Sequence, residues 1–516
     1  MTDQSAELAV RWRPRFGIIL AVASFLIYAA TVFALPQVRD NSYPCERNSI
    51  AAAVTNVVYG QRLGTVYWGI LDLYLKNFDA PLEQLLRDTP GLGTTHPTPP
   101  AGYLMKTTED GNGVGYLVVA STAFRLFGLH AWALPLTMLI LMALSAALFL
   151  GRHSGSLALV VTAYFSGLTV MLFTPLITIP AYAINIPVAG IRYFSLLTVL
   201  PAIHILLDTI ATAPAQSTAL QRQTIMLGVQ AAILVMATLV RGSMTAVIAA
   251  IAIVACIIAL RHRGDRSRLR LLRRKATVMG LTALGLIAAI ALWVPDNYIK
   301  QGRFGTVIWH RITLSLGLDE AFPYPGVREM FPCEKFIPEG ILSGMPDRNG
   351  HCMWLAYAVE HQIPTNTIAT QTYGGNYEAG LRNAFFKIAW RYPSQVLRTF
   401  LIVKPTYILW SLGASLAFDF GPFAPSAIGL LLASLAVLLV SAIGTAPPLS
   451  QLSRVAGVAI LCAACTLPPL IAVWALPHTS ADLLLLCLLL TGLVLGAISQ
   501  AIEAALRRTQ SAPVPV

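Results

Sequence analysis

Charge is what this sequence has least of. Only 12% of its 516 residues are Asp, Glu, Lys or Arg, about half the usual share of a water-soluble domain. So little charge at 56% hydrophobic residues and a mean hydropathy of +0.66 excludes a soluble globular enzyme and a disordered chain. Acids are scarcer than bases, 24 against 36, for a formal charge of +12. In a soluble chain that balance would suggest nucleic acid; here membrane sidedness accounts for it, and no nucleic-acid partner is expected. The sequence has no P-loop and no dinucleotide fingerprint, which argues against a nucleotide-driven pump. It also shows no internal repeat of the kind that marks many transporters.

Long apolar runs are what it does have. An all-α polytopic membrane protein with about ten transmembrane helices is predicted. The first span covers residues 17–35, after a short cytoplasmic N-terminus at 1–16. Its basic flank, Arg11, Arg13 and Arg15, would suit a signal peptide, but no small-residue cleavage site follows before Pro36. Further runs begin near Ala131, Ser156, Tyr193, Ile225, Thr245, Ala276, Ala424, Val455 and Ala481. They form a six-span core at 131–294 and three C-terminal spans at 424–502, with a cytoplasmic tail at 503–516. The stretch 261–275 holds eight Lys and Arg residues against one acid, Asp265, which marks a cytoplasmic loop. Two long loops, 36–130 and 295–423, then fall outside. Residues 400–418 are apolar but contain Lys404 and Pro405; an interfacial or re-entrant helix keeps the tail arginines Arg507 and Arg508 inside.

Cys256, Cys462, Cys465 and Cys487 fall within apolar runs and read as packing residues. Cys45, Cys333 and Cys352 fall in the external loops, where a disulfide is permitted; Cys333 with Cys352 is one pairing, Cys45 with either is the other. The loops are 95 and 129 residues long, far beyond what a connection needs. Tyr59, Trp68, Trp309, Trp354, Tyr377, Trp390 and Tyr392 supply material for an ordered cap resting on the membrane. In the first loop, Arg39-Asp40 and Glu46-Arg47 follow span one closely. Glu109-Asp110 precede a Gly-x-Gly and the apolar piece Gly115–Gly128, which reads as a surface-lying helix.

This arrangement resembles the GT-C class of membrane glycosyltransferases, in the bacterial branch related to the protein mannosyltransferases. The resemblance rests on an acid soon after span one and on re-entry through Gly115-Tyr116-Leu117 to Phe124-Arg125-Leu126-Phe127-Gly128. It is best over the first 150 residues, with weaker echoes at Ile191-Arg192-Tyr193-Phe194 and Leu476-Pro477-His478. The acids form no clean Asp-Glu or Asp-x-Asp, and Thr479-Ser480-Ala481-Asp482 stand where related chains often carry Arg-Tyr. The resemblance implies a multi-pass enzyme of the bacterial inner membrane, with both termini cytoplasmic. It would move a sugar from a polyprenyl-phosphate donor to an envelope glycan, lipid or protein.

Such transfer needs a carboxylate to deprotonate the acceptor hydroxyl and cations, or a divalent metal, to neutralise the departing phosphate. No cofactor motif is present. The candidate bases are Asp40, Glu46, Glu109 and Asp110, with Asp40 first by position; each has a plain alternative as a juxtamembrane or turn residue. The candidate phosphate ligands are Arg192, Arg241 and His478 at outer span ends, His310-Arg311 early in the second loop, and Lys404. An interfacial anchor explains His310-Arg311 equally well, and snorkelling explains Lys404. A lipid-glycan flippase or transporter, an O-antigen-type polymerase or ligase, and a structural subunit of an envelope complex are the other readings.

Overall fold

The computed structural model describes residues 2–34, 47–60, 65–66, 105–106, 114–130, 132–153, 155–174, 178–179, 184–185, 190–211, 217–240, 245–293, 308–319, 322, 324–331, 346–363, 375–415, 425–472 and 481–510. The protein is an all-α polytopic membrane protein. Among the described residues, strand occurs only as two-residue antiparallel pairs, β1 (Thr65–Val66) with β2 (Met105–Lys106) and β3 (Thr178–Ile179) with β4 (Ile184–Asn185).

The bundle helices are α1 (Thr2–Ala34), α2 (Arg47–Tyr59), α3 (Val114–Phe127), α4 (Ala133–His153), α5 (Ala158–Met171), α6 (Ile191–Phe194) and α7 (Val199–Ile210). They continue with α8 (Ser217–Val240), α9 (Thr245–Arg261) and α10 (Arg266–Trp293). After the second long loop come α17 (Pro425–Gly444), α18 (Leu449–Ala472) and α19 (Ala481–Gln510). A helix stands at each of the ten expected span positions. Among the described residues seven are long and apolar enough to cross a membrane: Arg13–Ala34, Ala133–His153, Leu220–Val240, Arg266–Trp293, Pro425–Gly444, Leu449–Ala472 and Ala481–Arg507. The helices at the other three, Ala158–Met171, Ser195–Ile210 and Thr245–Arg261, are apolar but shorter.

Two helices lie inside the bundle. Every residue of α5 is buried, and nearly every residue of α7 is, His204 and Asp208 included. Helices α1, α17 and α19 pack on α5, and α8, α9 and α18 pack on α7. Small residues allow the closest approach. A Cβ on Gly492 would lie 2.7 Å from Ala163 Cβ, and one on Gly496 would lie 2.6 Å from Leu159 Cδ2. These two glycines, four residues apart on α19, let it press on α5 where lipid supplies no hydrophobic drive for helix association.

At one end of the bundle the terminal helices meet: Arg13 Nη2 lies 3.1 Å from Glu503 Oε1. The same end buries an ionic cluster. Asp208 on α7 is 2% exposed and takes Arg152 Nε of α4 and Lys275 Nζ of α10, each at 2.7 Å. The Lys275 amine also donates to the carbonyls of Asp208 and Ala211. Further in, Ser145 Oγ donates to Gln230 Oε1 (2.9 Å), and Gln230 Nε2 meets His204 Nδ1 at 3.0 Å. Buried charges persist in an apolar medium only when paired, so this cluster fixes α4, α7, α8 and α10 at that end. Asp208 is its centre.

The opposite end carries a cap built from α11 (Ile308–Leu314), a 3-10 turn (Ser315–Leu318), α12 (Tyr324–Met330), α13 (Pro346–Glu360), α14 (Gly375–Arg391) and α15 (Pro393–Arg398). It has its own apolar core, around Trp354, Tyr377, Leu381 and Ile388. A π-helical turn, Thr399–Val403, joins it to α16 (Lys404–Ser415). Cys352 in α13 is oxidised to a disulfide. Cys256, Cys462, Cys465 and Cys487 are free, so its partner is Cys45 or Cys333, both outside the described residues.

Replacing Asp208 by Leu would strand two cations, one of them fully enclosed. Asp208→Leu is expected to cost about 3–5 kcal/mol, measured as thermal or denaturant unfolding of the detergent-solubilised protein. Adding Lys275→Met should recover part of the loss. An unchanged melting curve for the single variant would show that the cluster does not hold these helices.

Candidate functional site at the capped end

Most of the residues singled out from sequence fall outside the described residues: Asp40, Glu46, Glu109, Asp110, Arg241 and His478. Their described neighbours converge, however. Tyr28 near the end of α1 places its hydroxyl 3.3 Å from that of Tyr193 in α6. The start of α3 meets the end of α8 so closely that a Cβ on Gly115 would lie 2.5 Å from the main-chain carbon of Leu239 and nitrogen of Val240. At the start of α19, Asp482 accepts a 2.7 Å hydrogen bond from Ser195 Oγ, just beyond α6. The ends of α1 and α8 and the starts of α3 and α19, which flank Asp40, Arg241, Glu109-Asp110 and His478 in sequence, therefore lie at one end. Arg192 occupies the second position of α6, at the same end.

Sequence reasoning missed the polar floor under this convergence. Tyr28, Tyr164, Tyr193, Ser195 and Asp482 are all buried. The Tyr164 hydroxyl donates to the carbonyl of Leu196 at 3.1 Å. Asp482 lies in the first turn of α19, where the helix dipole favours an anion. One signal was available: between residues 424 and 502 it is the only acid, and an acid at the edge of an apolar run is a functional candidate by default.

The helix expected to lie on the membrane surface, α3, has most of its surface covered. It packs against α2, α4 and α8, with Tyr116, Ala120, Ala123 and Phe124 buried. Arg125 projects outward and donates to Asn56 Oδ1 on α2 at 3.1 Å. Most of its apolar residues thus face protein, Leu126 near its end being exposed, and the two helices of the first loop form one platform at the convergence.

Lys404 is fully buried. Its amine donates to the carbonyl of Ile471 in the last turn of α18 and stands 4.3 Å from the centroid of the Phe400 ring. A cation there answers a carbonyl left over at a helix C-terminus. The amine points into protein, so this geometry is not snorkelling. Helix α16 packs through Ile408 against Leu470 and Leu483, beside the start of α19.

His310 turns into the cap. Its Nδ1 is 2.8 Å from the Tyr377 hydroxyl. Glu378 accepts the main-chain N–H groups of Trp309 (2.8 Å) and His310 (3.2 Å), closing the start of α11 from a neighbouring helix. Burial pushes the Glu378 carboxyl above its ordinary range, against the effect of these two donors. Arg311 is exposed. The cap is tied to the π-helical turn by Asp319, which accepts from Thr399 Oγ1 at 3.1 Å and faces Arg398 at 3.5 Å. Among the described residues no group of three or more His, Cys, Asp or Glu side chains is placed to hold a metal ion.

No family model and no curated protein matches the chain. Among solved structures, the crystal structure of ArnT from Cupriavidus metallidurans bound to undecaprenyl phosphate aligns with a TM-score of 0.33 and 14% identity, over 96% of this chain and 80% of that one. At that level neither fold nor activity is carried over from it.

The contact at Gly115 sets the platform. Gly115→Ala is expected to destabilise by about 1–3 kcal/mol through overpacking. Gly280→Ala on α10, where a Cβ meets nothing within 4 Å, should not destabilise. Melting both variants in detergent checks this; equal effects would mean that α3 does not need the close approach.

Proposed function

We propose that the protein is an integral membrane glycosyltransferase of the bacterial inner membrane. It would move a sugar from a polyprenyl-phosphate donor to an envelope glycan, lipid or protein on the external face. The observation that carries this reading is the convergence at one end of the bundle of α6, the ends of α1 and α8 and the starts of α3 and α19, which hold Arg192 or flank Asp40, Glu109-Asp110, Arg241 and His478 in sequence. The opposite end is locked by the paired charges around Asp208.

Two independent features support the capped end as external. Cys352 in the cap is oxidised, which belongs to an oxidising compartment. The basic run 261–275 covers the turn between α9 and α10 and the first turns of α10, beside the Asp208 cluster at the other end, where cytoplasmic charge belongs. Both termini are then cytoplasmic.

In this reading a carboxylate of the first loop, Asp40 first among Asp40, Glu46, Glu109 and Asp110, takes the proton of the acceptor hydroxyl. The hydroxyl oxygen bonds to the anomeric carbon as the bond from that carbon to the phosphate oxygen breaks. Polyprenyl phosphate leaves with the electron pair, and Arg192, Arg241 and His478 offset its charge. Lys404, already engaged at the end of α18, lies at the same end. The membrane setting fits a donor whose carrier is a lipid.

The test is transfer of labelled sugar from a panel of polyprenyl-phosphate donors by the purified full chain, with envelope glycan, lipid and protein acceptors supplied. Asp40→Asn or Asp110→Asn should lower the rate by about 100-fold or more, with an unchanged melting temperature. Absence of transfer from every donor by the folded protein would overturn the reading. Transfer that survives both substitutions would leave the activity and move the base elsewhere.

A further inference from the structure

Helix α10 has two unlike faces. One packs on α8: Leu272, Lys275 and Ile290 are buried, and Met279 and Leu286 are partly covered. Lys275 is held there by Asp208. On the other face Arg266, Arg270, Arg273 and Arg274 are exposed, and no acidic partner stands beside them among the described residues. Among the described residues, Arg268 is the one arginine of this helix with a nearby acid, Asp265, at 3.0 Å.

The spacing from Arg266 to Arg270, to Arg273 and Arg274, and on to Leu281 and Leu284 is the spacing that keeps residues on one side of a helix. Leu281 and Leu284 are 64% and 65% exposed. The stripe is therefore cationic over its first turns and apolar beyond. Arg274 and Leu284 are separated by about 15 Å along the axis, half the roughly 30 Å hydrocarbon core of a bilayer, the reach of one acyl chain.

We propose that this stripe is a binding site for an anionic phospholipid of the surrounding leaflet. Its phosphate and negative headgroup would lie on Arg266, Arg270, Arg273 and Arg274, and an acyl chain along Leu281 and Leu284. Charge complementarity selects the headgroup, and the passage along one face from arginine, through the small residues Thr277 and Gly280, to leucine selects a lipid over an acidic protein segment, which would leave the leucines unused. The buried Lys275–Asp208 pair keeps the stripe turned outward.

The test is native mass spectrometry of the detergent-purified full chain with an equimolar mixture of phosphatidylglycerol and phosphatidylcholine. Wild type should retain phosphatidylglycerol preferentially. An arginine near an anionic surface contributes about fivefold to binding, so Arg270→Gln with Arg274→Gln should lower that retention by about tenfold or more. Arg261→Gln with Arg263→Gln removes equal charge from exposed positions off the stripe and should change it less than about twofold. Arg270→Lys with Arg274→Lys should keep most of the preference, separating loss of charge from misfolding. Equal loss in the two glutamine pairs, or no loss in either, would overturn the site.

Discussion

A helix surrounded by lipid satisfies its own main chain, but any charge it carries must be answered by another part of the protein. Much of this architecture follows from where such answers are available. Asp208 is enclosed only because Arg152 and Lys275 reach it from two other helices. Lys404 is enclosed only because α18 ends beside it with a carbonyl to spare. Asp482 is enclosed at a helix start, with Ser195 donating to it. Each pairing joins elements far apart in sequence and fixes how they sit together, while the apolar remainder of each helix is free to pack or to face lipid.

The two ends of the bundle use this constraint differently. At the end where Arg13 meets Glu503, charges are matched internally or face outward as arginines with no acidic partner among the described residues. At the other end, polar side chains line a floor beneath the points where the chain leaves and returns, and a separately packed cap stands alongside.

Much of this was legible in the sequence, for a physical reason. Helix positions follow from runs of apolar residues, a local property, and a helix stands at each of the ten expected places. The cap was legible as a concentration of aromatics, and Trp354 and Tyr377 sit in its core. What the sequence hid was non-local. Nothing near Lys404 points to Ile471, 67 positions away, or near Asp482 to Ser195, 287 positions away. The segment at Gly115 read as a surface helix because its composition is apolar with one arginine; its actual neighbours, α2, α4 and α8, could not be inferred from that composition. His310 read as a membrane-facing cation, yet Tyr377 and Glu378, 67 and 68 positions on, draw it into the cap.

The central claim is that the capped end is external and the arginine-rich end cytoplasmic. Single cysteines placed at two exposed positions, Glu360→Cys on the cap and Arg263→Cys between α9 and α10, can be reacted with a membrane-impermeant maleimide in intact spheroplasts. The account predicts labelling at position 360 before lysis and at position 263 only after it. The reverse order would contradict it.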